Sequence, residues 1–203
     1  MSILISFFFA APYFKQANLE DKDLTERDVE IIRNTLYKAY LEDFFQFCQT
    51  LGGVTQEVMT DILRFEADRR SIIITLNSFG TELSIDQRKK LYPSFGHLYP
   101  EGVASLETAE NIEQVKIAIS HNHVYSNLLR ESGFGGDDDK TLDTAFYEYE
   151  VKINILAFEQ QCHYGVFYAY LKLREQEIRN IVWIAECIAQ DNKEKINNYI
   201  PIF

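Results

Sequence analysis

Long stretches of this 203-residue chain contain neither glycine nor proline, among them 19–51, 54–79, 137–164 and 166–200. Without those two residues nothing in the backbone interrupts the i to i−4 hydrogen-bond ladder, so stretches of this length favour helix throughout. Mainly apolar positions recur at helical spacing, as in Ile31, Ile32, Thr35, Leu36, Ala39 and Tyr40, and in Leu106, Ala109, Ile112, Val115 and Ile119. No segment combines sustained strand-like alternation with hairpin turns. The pattern predicts an all-α fold, a bundle of helices.

The breakers collect at Gly52-Gly53, in the segment 92–102 and at Gly133-Phe134-Gly135-Gly136. Tyr92-Pro93 and Tyr99-Pro100 repeat one dipeptide, and proline pushes the residue before it out of helical geometry. The segment therefore reads as a structured connector between two lobes, roughly 19–92 and 103–203. Thr141 or Asp139 is placed to cap the next helix, with Asp143 near its positive end. Aromatic residues fall on more than one side of their helices, at Phe44, Phe45 and Phe47 and at Phe158, Tyr164, Phe167, Tyr168 and Tyr170. Helices of that kind need covering on both faces, and an internal core is the expected cover ahead of a partner chain.

Within the helical stretches one charged pattern occurs twice, 109 positions apart: Glu66, Asp68, Arg70, Ile72, Ile73 and Glu175, Glu177, Arg179, Ile181, Val182. A Glu four residues before an Arg shares a helical face with it in the favourable orientation, so Glu66–Arg70 and Glu175–Arg179 are the expected ion pairs. Repetition of a helix start points to pseudo-repeated lobes and to a scaffold. Paired carboxylates for acid–base catalysis need different environments facing one cleft; Glu66 and Asp68, two apart, diverge. All six charged residues are therefore read as structural.

Other chemistries find no support. Lys140-Thr141 lacks the preceding glycine of a phosphate loop and follows Asp137, Asp138 and Asp139, which repel phosphate. Those aspartates lack the ligand spacing of a calcium loop. His121 and His123, and the adjacent Cys162-His163, do not match zinc spacing. Neither a G-x-S-x-G elbow nor a dinucleotide fingerprint is present. No cofactor, no metal and no catalytic role is expected.

With 31 acidic against 20 basic residues the net charge is −11, which repels nucleic acid and anionic headgroups. Cys48, Cys162 and Cys187 are widely spaced and odd in number, the usage of reduced core thiols in a cytosolic compartment. The apolar run from Ile3 to Ala11 lacks a basic flank and is too short to span a bilayer, so it reads as a buried segment, and no transmembrane helix is expected.

Several strings carry a resemblance together. They are Phe65-Glu66-Ala67-Asp68-Arg69-Arg70, Leu76-Asn77-Ser78-Phe79-Gly80-Thr81-Glu82-Leu83, Leu91-Tyr92-Pro93 with Leu98-Tyr99-Pro100-Glu101-Gly102, and the closing run through Gln176-Glu177-Ile178-Arg179-Asn180-Ile181-Val182-Trp183-Ile184-Ala185-Glu186 to Tyr199-Ile200-Pro201-Ile202-Phe203. In order, over nearly the whole chain, they resemble the subunit d family of V-type proton ATPases, which is related to the corresponding component of archaeal and bacterial V/A-type enzymes. The resemblance implies a non-catalytic rotor part, an all-helical funnel of pseudo-repeated lobes. It implies a seat on the proteolipid ring, receiving the central stalk, at the cytoplasmic face of vacuolar, endosomal or lysosomal-type membranes, in proton transport and organelle acidification. The family has a long N-terminal portion that this chain lacks, since Ala11-Pro12-Tyr13-Phe14 resembles an interior position. A shortened paralogue acting as a free-standing helical adaptor is the alternative.

Overall fold

The computed structural model of the chain describes residues 26–81, 83–131 and 141–203. These form eight α-helices: α1 (Glu26–Leu51), α2 (Gly53–Ser78), α3 (Ile85–Leu91), α4 (Glu101–Thr108), α5 (Ile112–Ser120), α6 (His123–Glu131), α7 (Leu142–Gln160) and α8 (Gly165–Ala189), followed by a 3-10 turn, Lys193–Asn198. The described residues contain no strand, so the fold is all-α. The run from Ile3 to Ala11, Gly133 to Gly136 and the aspartates 137–139 lie outside the described residues.

Local chemistry sets the helix ends. Ser84 and Gln87 form a reciprocal capping box at α3, at 3.2 and 3.1 Å. Thr141 caps α7 by accepting from the Thr144 N–H at 3.3 Å, with Asp143 in the first turn. The apolar periodicity from Leu106 to Ile119 does not make one helix. Ala109 is extended, and the Asn111 side chain opens α5 by accepting from the Gln114 N–H at 2.9 Å. His121 therefore ends α5 while His123 opens α6.

The chain divides into two compact units, one of residues 1–50 and 63–122, the other of 51–62 and 123–203. In the first, α1 runs antiparallel to the second half of α2, and the segment 92–100 is fastened to both. Tyr92 is extended, as its proline requires, and its hydroxyl meets Thr75 Oγ1 at 2.6 Å. Phe95 stacks on Phe45 with centroids 4.1 Å apart, and Glu42 accepts from the N–H and hydroxyl of Ser94, each at 2.8 Å. Buried Arg88 ties the helix ends together by donating to Ser78 Oγ at 2.9 Å and to the Glu107 carbonyl.

The second unit is built on the α7–α8 hairpin. Its core groups Ile62, Ala157 and Ala169 with Val58 and Ile153, and Val151, Leu173 and Ile200 with Tyr147 and Ile202. Gln161 and Cys162 reverse the chain with φ of +51° and +55°. Gly52 and Gly53, 109 positions earlier, reverse it between α1 and α2 at +64° and +55°. The charged repeat and this pair of left-handed residues share one offset.

Two sequence expectations need correcting. Internal core does not cover the aromatic helices on every side: Phe47, Tyr164, Phe167 and Tyr170 are half or more exposed, because α8 buries only the face carrying Ala169, Leu173 and Gln176. Cys162 stands exposed on the turn rather than in the core, while Cys48 and Cys187 are buried.

Candidate functional site

The repeated pattern builds two clusters. In the first, Glu66 is 3% exposed and accepts a hydrogen bond from the Tyr37 hydroxyl at 2.5 Å and from Arg69 at 2.8 and 2.9 Å. Arg70 turns toward α1, donating to Asn34 Oδ1 at 2.6 Å and lying 4.7 Å over the Tyr37 ring. The cation closing on Glu66 is thus three residues on, not four, and Arg70 holds the neighbouring helix through an amide and an aromatic face. Burial pushes the Tyr37 phenol well above its usual range, and the Glu66 charge and hydrogen bond push it further. Tyr37 therefore stays a donor. Burial also draws the Arg70 guanidinium down.

Asp68 does separate work. Fully buried, it accepts from the backbone N–H of His97 at 2.8 Å and of Leu98 at 3.2 and 3.3 Å. Gly96 makes this approach possible. Its φ is +150°, and a Cβ there would lie 2.1 Å from Asp68 Oδ1.

In the second cluster the buried carboxylate comes from α7. Glu150, 4% exposed, faces Lys172 at 3.0 Å and Arg179 at 3.4 Å. Arg179 lies 4.3 Å over the Tyr147 ring and donates to Gln176 Oε1 at 3.0 Å. Gln176 in turn donates to Asn180 Oδ1 at 2.8 Å. The Asn180 amide then pairs with both peptide groups of Ile200, donating to its carbonyl at 2.7 Å and accepting from its N–H at 3.3 Å. Glu175 meets this network only at its edge, through Lys172 at 3.4 Å, and Glu177 pairs with Arg174; the carboxylate facing Arg179 is Glu150 and not the expected Glu175.

The structure thus draws Glu66, Asp68, Arg70 and Arg179 into clusters and leaves Glu175 and Glu177 at the surface. Tyr37, Tyr147 and Glu150 were missed. Glu150 had a signal: it shares a helical face with Asn154 and Ala157, both buried, and a carboxylate on such a face needs a cation.

A cleft of about 690 Å³ adjoins the second cluster, lined among others by Tyr147, Glu148, Arg179, Asn180, Trp183 and Lys195. Its lining offers one carboxylate, Glu148, and no histidine or cysteine. Among the described residues no three His, Cys, Asp or Glu side chains are grouped to hold a metal ion. Nor is any described helix long and apolar enough to cross a membrane.

The buried carboxylates Glu66, Asp68 and Glu150 are each held by a cation or by backbone N–H groups. The profile of the ATP synthase (C/AC39) subunit matches residues 4–199. The chain belongs to the ATP synthase (C/AC39) subunit family. Among the relatives of this C/AC39 chain, V-type proton ATPase subunit d of Dictyostelium discoideum is 59% identical over 95% of the chain and 53% of the relative. V-type proton ATPase subunit d1 of Arabidopsis thaliana is 53% identical over 94% of the chain and 53% of its own length. V-type proton ATPase subunit d of Neurospora crassa is 52% identical over 95% and 57%. The C/AC39 chain spans about half the length of the curated relatives it matches.

Proposed function

We propose that this chain works as part of a non-catalytic subunit of a V-type proton-translocating ATPase, coupling central-stalk rotation to the membrane proteolipid ring in proton transport and organelle acidification. The observation that carries the reading is the 59% identity to a V-type proton ATPase subunit d across 95% of the chain. The mechanism is mechanical: a body that transmits torque must be stiff, and close packing with fixed helix register supplies stiffness. The Tyr37–Arg70 and Tyr147–Arg179 contacts serve as equivalent locks in two repeat lobes, 19–92 and 103–203, a reading supported by the shared 109-residue offset of charges and turns. Attachment is peripheral, through protein contacts at the cytoplasmic face of vacuolar, endosomal or lysosomal-type membranes.

Purification of the tagged chain from detergent-solubilised membranes tests this. Ring and central-stalk subunits are expected to travel with it; a chain recovered without them is a free-standing helical adaptor, and the rotor reading fails. Arg70→Leu and Arg179→Leu are expected to lower stability and assembly together. A variant that keeps its stability and still assembles and pumps normally removes that arginine from the locking role.

A further inference from the structure

The cleft of about 690 Å³ lies wholly within the second unit, lined by α7, α8 and the segment 195–200. That volume falls among those of small-molecule sites, about 300–1,000 Å³. Its charge runs against the rest of the chain. Acidic residues outnumber basic ones by 31 to 20 overall, yet the lining sets Arg179 and Lys195 against the single carboxylate of Glu148.

Both cations have donors to spare. A guanidinium carries five N–H groups. Arg179 gives one to Gln176 at 3.0 Å and one to Glu150 at 3.4 Å, and with the side chain 36% exposed the others are left for the cleft. Among the described residues the Lys195 ammonium has no hydrogen-bond or ion-pair partner. A guanidinium fork together with an ammonium is a donor set that phosphate oxygens take, and two cations match the charge of a phosphate monoester, about −1.5 to −2, better than that of one carboxylate.

The rest of the lining suits a flat ring with polar edges. Trp183 and Tyr199, 37% and 44% exposed, supply aromatic surface. Asn197 and Asn198 bring exposed amides, which both donate and accept. The frame is set before any ligand arrives: Trp183 Nε1–H donates to the Lys195 carbonyl at 3.1 Å, and Asn180 holds both peptide groups of Ile200 at 2.7 and 3.3 Å. A wall already fastened to α8 spares a ligand the cost of ordering it.

We propose that this cleft binds a nucleoside phosphate, with the phosphate oxygens on Arg179 and Lys195 and the base against Trp183. This goes beyond the rotor reading and does not rest on it. Trp183 is the chain's single tryptophan, so its fluorescence reports on the cleft directly. The full chain is titrated with adenosine diphosphate, with pyrophosphate and with adenosine, and binding is followed by that fluorescence and by calorimetry.

Adenosine diphosphate is expected to quench Trp183 and to bind at least about tenfold more tightly than pyrophosphate, which lacks the ring, or adenosine, which lacks the charge. Its affinity should fall as salt rises. Lys195→Glu, at an exposed position, is expected to weaken binding at least about tenfold with unchanged circular dichroism and thermal midpoint, while Lys195→Arg retains it. No binding, pyrophosphate or adenosine bound as tightly as adenosine diphosphate, or binding that survives Lys195→Glu overturns the proposal.

Discussion

Gly96→Ala is expected to be among the most damaging small changes in the first unit, because two costs meet at one atom. A φ of +150° is a region that residues with a Cβ rarely occupy, and such backbone strain costs about 1–3 kcal/mol. The new methyl would also lie 2.1 Å from Asp68 Oδ1, so the carboxylate must leave the His97 and Leu98 N–H groups it accepts from. Hydrogen bonds to a charged group contribute about 1.5–3 kcal/mol each. Losing one and bending the other brings the total to roughly 3–5 kcal/mol. For a chain of this size that lowers the thermal midpoint by about 10 °C.

Urea denaturation at constant m gives the free energy, and a cycle with Asp68→Ala isolates the mechanism. With the carboxylate gone the methyl has nothing to strike, so Gly96→Ala is expected to cost only the backbone share, about 1–3 kcal/mol. A wild-type midpoint for Gly96→Ala, or the same cost in both backgrounds, refutes the account.

Three further outcomes follow from the clusters. Tyr37 keeps its proton in the folded state beyond the pH at which an unfolded tyrosine loses its own, about 10. Its share of stability is therefore complete below that pH and falls above it, by up to about 1.4 kcal/mol per pH unit; alkaline urea titrations should show a shallower fall for Tyr37→Phe. Glu150→Gln leaves Arg179 without a carboxylate and Lys172 with only Glu175 at 3.4 Å, and is expected to cost about 1–3 kcal/mol, whereas Glu175→Gln changes stability by under about 0.5 kcal/mol; paired melts of the two variants check the contrast. Asn180→Ala frees both peptide groups of Ile200, so hydrogen exchange at 199–203 should speed up while α7 amides keep their protection.

Helix class, the Gly52-Gly53 reversal, the extended Tyr92 and the Thr141 cap were legible because each rests on backbone sterics or a local hydrogen bond. The partner of Glu66 was not. Arg69 and Arg70 both lie within reach along the helix, and the choice is made by Tyr37 and Asn34, residues far away in sequence that claim Arg70. Burial of Glu66 and exposure of Glu175 escaped for the same reason, since the two copies read alike and differ in what lies against them. The break at 109–111 was hidden by an apolar period that continued through it while the Asn111 cap restarted the helix.

The α7–α8 reversal has a practical consequence. Of the three thiols, Cys162 alone faces water, and it does so at the tip of the hairpin, five residues before the exposed Phe167. A maleimide dye added to the native chain should therefore mark one place without any engineered cysteine, and do so next to Phe167. The chain carries its own reporter for whatever comes to lie along α8, and unfolding it should release two further reactive groups that count how many molecules have opened.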